Sequence, residues 1–279
     1  VKELKKRIEE IYETKGSDKP GDFEELFFRF RELLNTGKIR AAEPAGDGGW
    51  KVNAWVKEGI LLGFRFGIIE DYTTHSGFNY FDKSTYPLRP TSLDDGIRIV
   101  PGGTSIRSGC YVAPGVVIMP PAYINTGAWV GPDTMIDSHA LVGSCAQVGA
   151  RVHLSAAAQI GGVLEPIGAS PVIIEEDVII GGNSGIYEGI TVKKGAVIGA
   201  GTVLTASVPV YDLVKGERLR VERGQSLVIP ENAVVVPGSR PMKTSAYAVE
   251  NSLQINCGLI IKYRDEKTDA ATALEELLR

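Results

Sequence analysis

Cysteine is scarce in this 279-residue chain. Cys110, Cys145 and Cys257 are an odd number without CxxC spacing, so neither a disulfide framework nor a zinc knuckle is expected. Histidine is equally sparse: His139 and His153 share one region and His75 is far from them in sequence. A three-histidine zinc site would need another ligand, and the reading is no metal and no tightly bound cofactor. No apolar run approaches the ~18 residues of a membrane span. The opening Val1-Lys2-Glu3-Leu4-Lys5-Lys6-Arg7 lacks a secretory apolar stretch, so a cytoplasmic protein with no membrane partner is expected. Basic residues are in no surplus either: 30 Lys+Arg against 34 Asp+Glu leave a net charge of −4, which argues against a nucleic-acid partner.

Glycine is in excess, 33 of 279 residues, without the third-residue period of collagen. A period of six explains it. An aliphatic residue stands at Val100, Ile106, Val112, Ile118, Ile124, Val130, Ile136, Val142, Val148, Leu154 and Ile160. The step to Ile174 is 14 residues rather than 12, read as a two-residue slip, and the period resumes at Ile180, Ile186, Val192, Ile198 and Leu204. Four residues after many of these comes a small residue, as at Cys110, Ala122, Ala128, Thr134, Ala140, Ala146, Ala158, Ser184 and Ala196. A short strand and a turn per unit, one large and one small side chain inward, is the hexapeptide signature of a parallel β-helix. Three units make an 18-residue triangular coil, so the run predicts roughly six coils. Gly131, Gly143, Gly149 and Gly161 directly follow the inward aliphatic, where the turn favours a residue without Cβ.

The flanks differ. Asp22-x-x-Glu25 has the spacing of a capping box ahead of Phe23, Leu26, Phe27, Phe30, Leu33 and Leu34, a helical face stopped by Gly37. Leu4, Ile8 and Ile11 predict a shorter helix before it, Gly46-Asp47-Gly48-Gly49 a hairpin turn, and Trp55, Ile60, Leu61 and Phe64 a third helix. The fold expected is mainly β: an α-rich N-terminal cap over 1–99, a β-helix over 100–238 with an external loop near 207–226, and a tail over 239–279. The tail carries a strand at Leu259-Ile260-Ile261 and a final helix with Leu274, Leu277 and Leu278 on one side.

The stretch Met135-Ile136-Asp137-Ser138-His139-Ala140-Leu141-Val142-Gly143-Ser144-Cys145-Ala146-Gln147, continuing to Ile160-Gly161-Gly162-Val163-Leu164-Glu165-Pro166, resembles the tetrahydrodipicolinate N-succinyltransferases. Tyr80-Phe81-Asp82-Lys83, Arg98-Ile99-Val100-Pro101, Val117-Ile118-Met119-Pro120 and Glu275-Glu276-Leu277-Leu278-Arg279 extend the likeness over nearly the whole chain. The resemblance implies a left-handed β-helix, a homotrimer, and transfer of succinyl from succinyl-CoA to the amine of ring-opened tetrahydrodipicolinate. It also implies Asp137 as the active-site aspartate and Arg98 as the arginine for a substrate carboxylate, with Ser155 as a further substrate contact. Lys243, Lys262 and Gly201 are the expected contacts for the CoA donor. Gly185 stands where the family pattern often carries a second acid, and Glu188, three residues on, is the substitute catalytic candidate. The chemistry needs only a carboxylate to take an amine proton and donors for an oxyanion. Two other readings keep the repeat: an acetyl-CoA-dependent acyltransferase, and a non-enzymatic scaffold. Cys110 reads as core filler, whereas Cys145 is expected nearer the surface. Asp137 and Glu188, at about 2.7 coils or ~13 Å apart along the axis, would have to meet between subunits.

Overall fold

Apolar side chains every third or fourth residue bury one stripe of a helix, and three such stripes build the N-terminal region. In the computed structural model, which describes residues 1–14, 16, 18–46, 48–73, 79–221 and 225–265, they are α1 (Lys2–Glu13), α2 (Phe23–Asn35) and α3 (Ala54–Phe66). Phe23, Phe27, Phe30, Trp55, Phe66 and Tyr86 close on one another as an aromatic core, with Phe27 and Tyr86 edge to face at 5.5 Å between ring centres. The capping box does not form. Asp22 gives its carboxylate to α1 instead, accepting from Arg7 Nε at 2.9 Å and Nη2 at 3.0 Å, because a charged fork outcompetes a backbone amide for a carboxylate. Gly37 ends α2 as its sequence position implies: its φ is +68°, and the Lys38 amide returns to the Leu33 carbonyl at 2.9 Å. The hairpin joins β1 (Ala42–Pro44) to β2 (Trp50–Val52) in antiparallel register.

The repeat folds as three parallel sheets visited in rotation. Sheet 1 begins with Arg98–Ile99, sheet 2 with Ser105–Ile106 and sheet 3 with Tyr111–Val112; then the chain returns to sheet 1 at Val117–Ile118. Strands pair with a shift of 18 residues, as in Met135↔His153 and Leu141↔Gln159. The second residue of each two-residue strand points inward, so Ile118, Ile136, Leu154, Ile180 and Ile198 stack as one fully buried column in sheet 1. Each such side chain contributes about 1.5–3 kcal/mol of apolar burial.

Two details of the sequence-derived register need correction. Ile99, not Val100, pairs with Ile118 and packs on the core, because the Pro101-Gly102-Gly103 turn holds one residue more than a hexad. The step after Ile160 is an insertion of eight residues rather than a slip of two: Gln147 pairs with Ile173, 26 residues on instead of 18. The inserted loop leaves the repeat at a turn from sheet 2 to sheet 3. Ile229 and Val235 resume the buried column, as the sequence suggested. Sheet 1 continues into a long C-terminal hairpin of Ala233–Pro241 and Gln254–Tyr263. The final helix expected around Leu274 lies outside the described residues.

The α-helical region packs on sheet 3 and on the 2–3 turns. Asn35 accepts the Gly109 amide at 2.7 Å, and Lys57, fully buried, donates to the Ala169 carbonyl of the inserted loop at 2.7 Å. Burial lowers the Lys57 amine below its ordinary pKa. Cys145, expected near the surface, is enclosed by this docking and belongs to the helical core; burial pushes its thiol up to about 12. Cys110 is core filler as expected, with its thiol also near about 12 for the same reason.

Candidate functional site

The turns from sheet 1 to sheet 2 gather three of the seven expected site residues, Asp137, Ser155 and Gly201. Asp137 directly follows Met135–Ile136, and Ser155 follows His153–Leu154. Those strands are neighbours, so the two side chains emerge one strand spacing apart, ~4.8 Å. Asp137 is half-buried and uses Oδ1 to accept the Ser138 amide at 2.8 Å; among the described residues no protein donor is recorded on Oδ2. His139, Ala157, Asn183 and Gly201 hold the same left-handed place in successive turns, with φ of +64°, +59°, +56° and +74°. Gly201 therefore shares an edge with Asp137 and Ser155, three circuits higher. Space around it is open.

Arg98 is exposed in sheet 1, two strands below Asp137. That is ~10 Å along the axis, a gap that the length of an arginine side chain partly closes. A groove of about 370 Å³ follows the turn that carries Asp137, with Gly103, Ser105, Tyr123, His139, Leu141 and Gln159 in its walls; Asp137 itself does not line it. It shares Gly103, Ser105 and Tyr123 with a cleft of about 470 Å³ beneath Tyr72, Tyr80 and Phe81. Arg107 sits in that cleft wall, held by both Asp82 oxygens at 2.7 and 2.8 Å and stacked 5.2 Å from the Tyr86 ring centre. Arg107 went unnoticed in the sequence, where Asp82 was only part of a familiar string.

Glu188 belongs to a different edge. It follows Gly185–Ile186 at a 2–3 turn, and its Oε2 accepts the Ala206 amide at 2.7 Å. With the eight-residue insertion counted, it stands a little over two circuits, ~11 Å, beyond Asp137 along the axis. Within one chain the two carboxylates are not brought together. Glu188 instead lines a groove of about 790 Å³ with Trp50, Ser170 and Lys193.

Lys243 and Lys262 are also apart. Lys262 pairs with Val234 at the base of the C-terminal hairpin, whereas Lys243 lies beyond Pro241 at its tip. At ~3.4 Å per residue that is roughly 30 Å. Lys262 Nζ donates to Asp265 at 3.0 Å. Another cation was missed altogether. Arg40 lies 3.9 Å from the Trp129 ring centre and 5.2 Å from that of Trp50, with Nε donating to Gln147 at 2.7 Å. Burial pulls its guanidinium down to about 10. It clamps the hairpin to sheet 3 and is remote from Asp137. Among the described residues, no three His, Cys, Asp or Glu side chains converge as a metal site would require, and no helix is long and apolar enough to cross a membrane.

A half-buried carboxylate next to a serine and a run of turn amides is equipped for proton transfer in an acyl exchange. Comparison with known proteins narrows this. A family model described as tetrahydrodipicolinate N-succinyltransferase N-terminal matches residues 3–66, and one described as hexapeptide repeat of succinyl-transferase matches 171–206. The chain is 41% identical to the 2,3,4,5-tetrahydropyridine-2,6-dicarboxylate N-succinyltransferase of Granulibacter bethesdensis, over 100% of this chain and 99% of that one. It belongs to this N-succinyltransferase family. Relatives of the same name from Neisseria meningitidis and Nitrosospira multiformis are 40% and 41% identical, each over 99% of this chain and 98% of their own length. Family membership thus spans both the helical region and the repeat. The N-terminal match includes Arg40 and Lys57, and the repeat match includes Glu188.

Proposed function

We propose that the protein transfers succinyl from succinyl-CoA to the amine of ring-opened tetrahydrodipicolinate, in lysine and diaminopimelate biosynthesis, as an N-succinyltransferase. The observation that carries this reading is full-length identity near 41% to enzymes of that name; the half-buried Asp137, one strand spacing from Ser155, is consistent with it. In the proposed step the neutral amine attacks the thioester carbonyl. An N–C bond forms, the C–S bond breaks, and CoA leaves as the thiolate. Asp137 takes the proton lost by the amine. Arg98 offers a planar fork to a substrate carboxylate, Ser155 a hydroxyl, and the turn amides donors for the oxyanion. Gly201, Lys243 and Lys262 remain the proposed contacts for the CoA donor.

The wider reading is a left-handed β-helix over 100–238, capped by 1–99 and followed by a tail over 239–279, in a cytoplasmic homotrimer. Three flat sheets suit packing about a threefold axis. A neighbouring chain is also what could carry Glu188 to Asp137, since one chain holds them on separate edges.

Acyl-donor choice tests the reaction. With tetrahydrodipicolinate present, succinyl-CoA is expected to release thiol at least tenfold faster than acetyl-CoA. Equal rates with the two donors would point to a general acyltransferase instead.

A further inference from the structure

Tyr187 follows Gly185–Ile186 in sheet 2, a strand flanked by Gln159–Ile160 on one side and Val203–Leu204 on the other. An outward residue at the end of such a strand ordinarily extends into solvent. Its ring instead folds back along the sheet. A Cβ at position 185 would lie 2.7 Å from the phenol oxygen and 2.8 Å from Cζ, and a Cβ at 161 would lie 2.7 Å from Cδ1. Two glycines from adjacent circuits thus form a seat that no larger residue leaves open, and both are buried beneath the half-buried ring.

Packing does not account for the hydroxyl. Among the described residues no hydrogen-bond partner is recorded for it, and a phenylalanine would fill the seat equally well. The phenol oxygen lies over Gly185, whose register partner Gln159 lines a groove with His139 and Leu141, at the turn that Asp137 begins. Gly185 is about two circuits, ~10 Å, above Asp137 along the axis. An extended seven-carbon chain spans roughly 8 Å from its amine to its far carboxylate, and a hydrogen bond at each end adds ~2.8 Å. That reach of about 14 Å exceeds the ~10 Å axial gap, so one such acceptor is long enough to bridge the two positions with a lateral offset between them.

We propose that the Tyr187 hydroxyl donates a hydrogen bond to the distal carboxylate of the acceptor while Asp137 holds the amine, making Tyr187 a specificity-determining substrate contact. This rests on the reading of the acceptor as a long amino-dicarboxylate. The seat explains why position 185 is glycine: any Cβ there would displace the ring.

Calorimetric titration with two non-reacting probes tests it, L-2-aminopimelate and 2-aminoheptanoate, which differ by the distal carboxylate. The full-length protein is expected to bind the dicarboxylate more tightly. In Tyr187→Phe that advantage should shrink about tenfold or more, as expected for a lost bond to a charged group, with affinity for 2-aminoheptanoate unchanged. Gly185→Ala should act alike by moving the ring, and combining the two should add little. Wild-type affinities in Tyr187→Phe, or equal weakening for both probes, would overturn the assignment while leaving succinyl transfer standing. Failure of the unaltered protein to bind 2-aminopimelate would overturn the assignment together with the acceptor reading.

Discussion

Asp137→Asn is expected to lower kcat/KM for succinyl transfer by about 10²–10⁴-fold, the usual worth of a positioned general base. The substitution is well suited to separating chemistry from structure. Among the described residues the Asp137 side chain has one hydrogen bond, from the Ser138 amide to Oδ1, and an asparagine carbonyl can accept that amide unchanged. Thermal stability should therefore stay close to the parent while turnover collapses. Activity within twofold of the parent would remove Asp137 from the chemistry. Mixing then tests whether Glu188 acts from a neighbour: Asp137→Asn and Glu188→Gln chains, each impaired alone, should regain activity together if the proposed trimer forms and exchanges subunits. A fully active Glu188→Gln would confine that residue to accepting the Ala206 amide.

Leu154→Ala is expected to cost ~2–5 kcal/mol of stability, the range for emptying a close-packed site of its leucine. Leu154 is fully buried and stacked between Ile136 and Ile180, so neighbours fixed by strand pairing on both sides cannot collapse into the gap. Leu93→Ala is the control, since Leu93 is 98% exposed and should change stability by less than about 0.5 kcal/mol. Denaturant midpoints would show the difference. Equal midpoints for the two variants would contradict the stacked-column account of the core.

The repeat was legible because each circuit asks the same thing of the same position. Ile118, Ile136 and Leu154 meet identical surroundings, so the sequence repeats an aliphatic there. Legibility ended where that sameness ended. Ile99 and Val100 are both aliphatic, and only pairing with Ile118 distinguishes them. The inserted loop carries Gly161-Gly162-Val163-Leu164, which reads like another repeat unit, so eight extra residues passed for two. Asp22 failed as a cap because its partner, Arg7, is 15 residues away, beyond a local motif.

The site was legible in part for the same reason. Asp137 and Ser155 occupy equivalent places in consecutive circuits, so their proximity followed from the period. Lys57 did not announce itself: a lysine ordinarily reads as solvated, and only docking on the inserted loop shows its amine buried against Ala169. Cys145 was misplaced because the helical region, not the repeat, covers it. Tyr187 drew no reading from the sequence, for want of any rule linking an outward aromatic to glycines at 161 and 185.

The central claim is the identity of the group transferred and of its acceptor. Mass spectrometry of the reaction between freshly made tetrahydrodipicolinate and succinyl-CoA addresses both at once. The account predicts a product heavier than the ring-opened acceptor by one succinyl group, attached through nitrogen, formed with one thiol per product and at least about a hundredfold more slowly with Asp137→Asn. Thiol release without that product, or an unmodified acceptor after prolonged incubation with active enzyme, would contradict it.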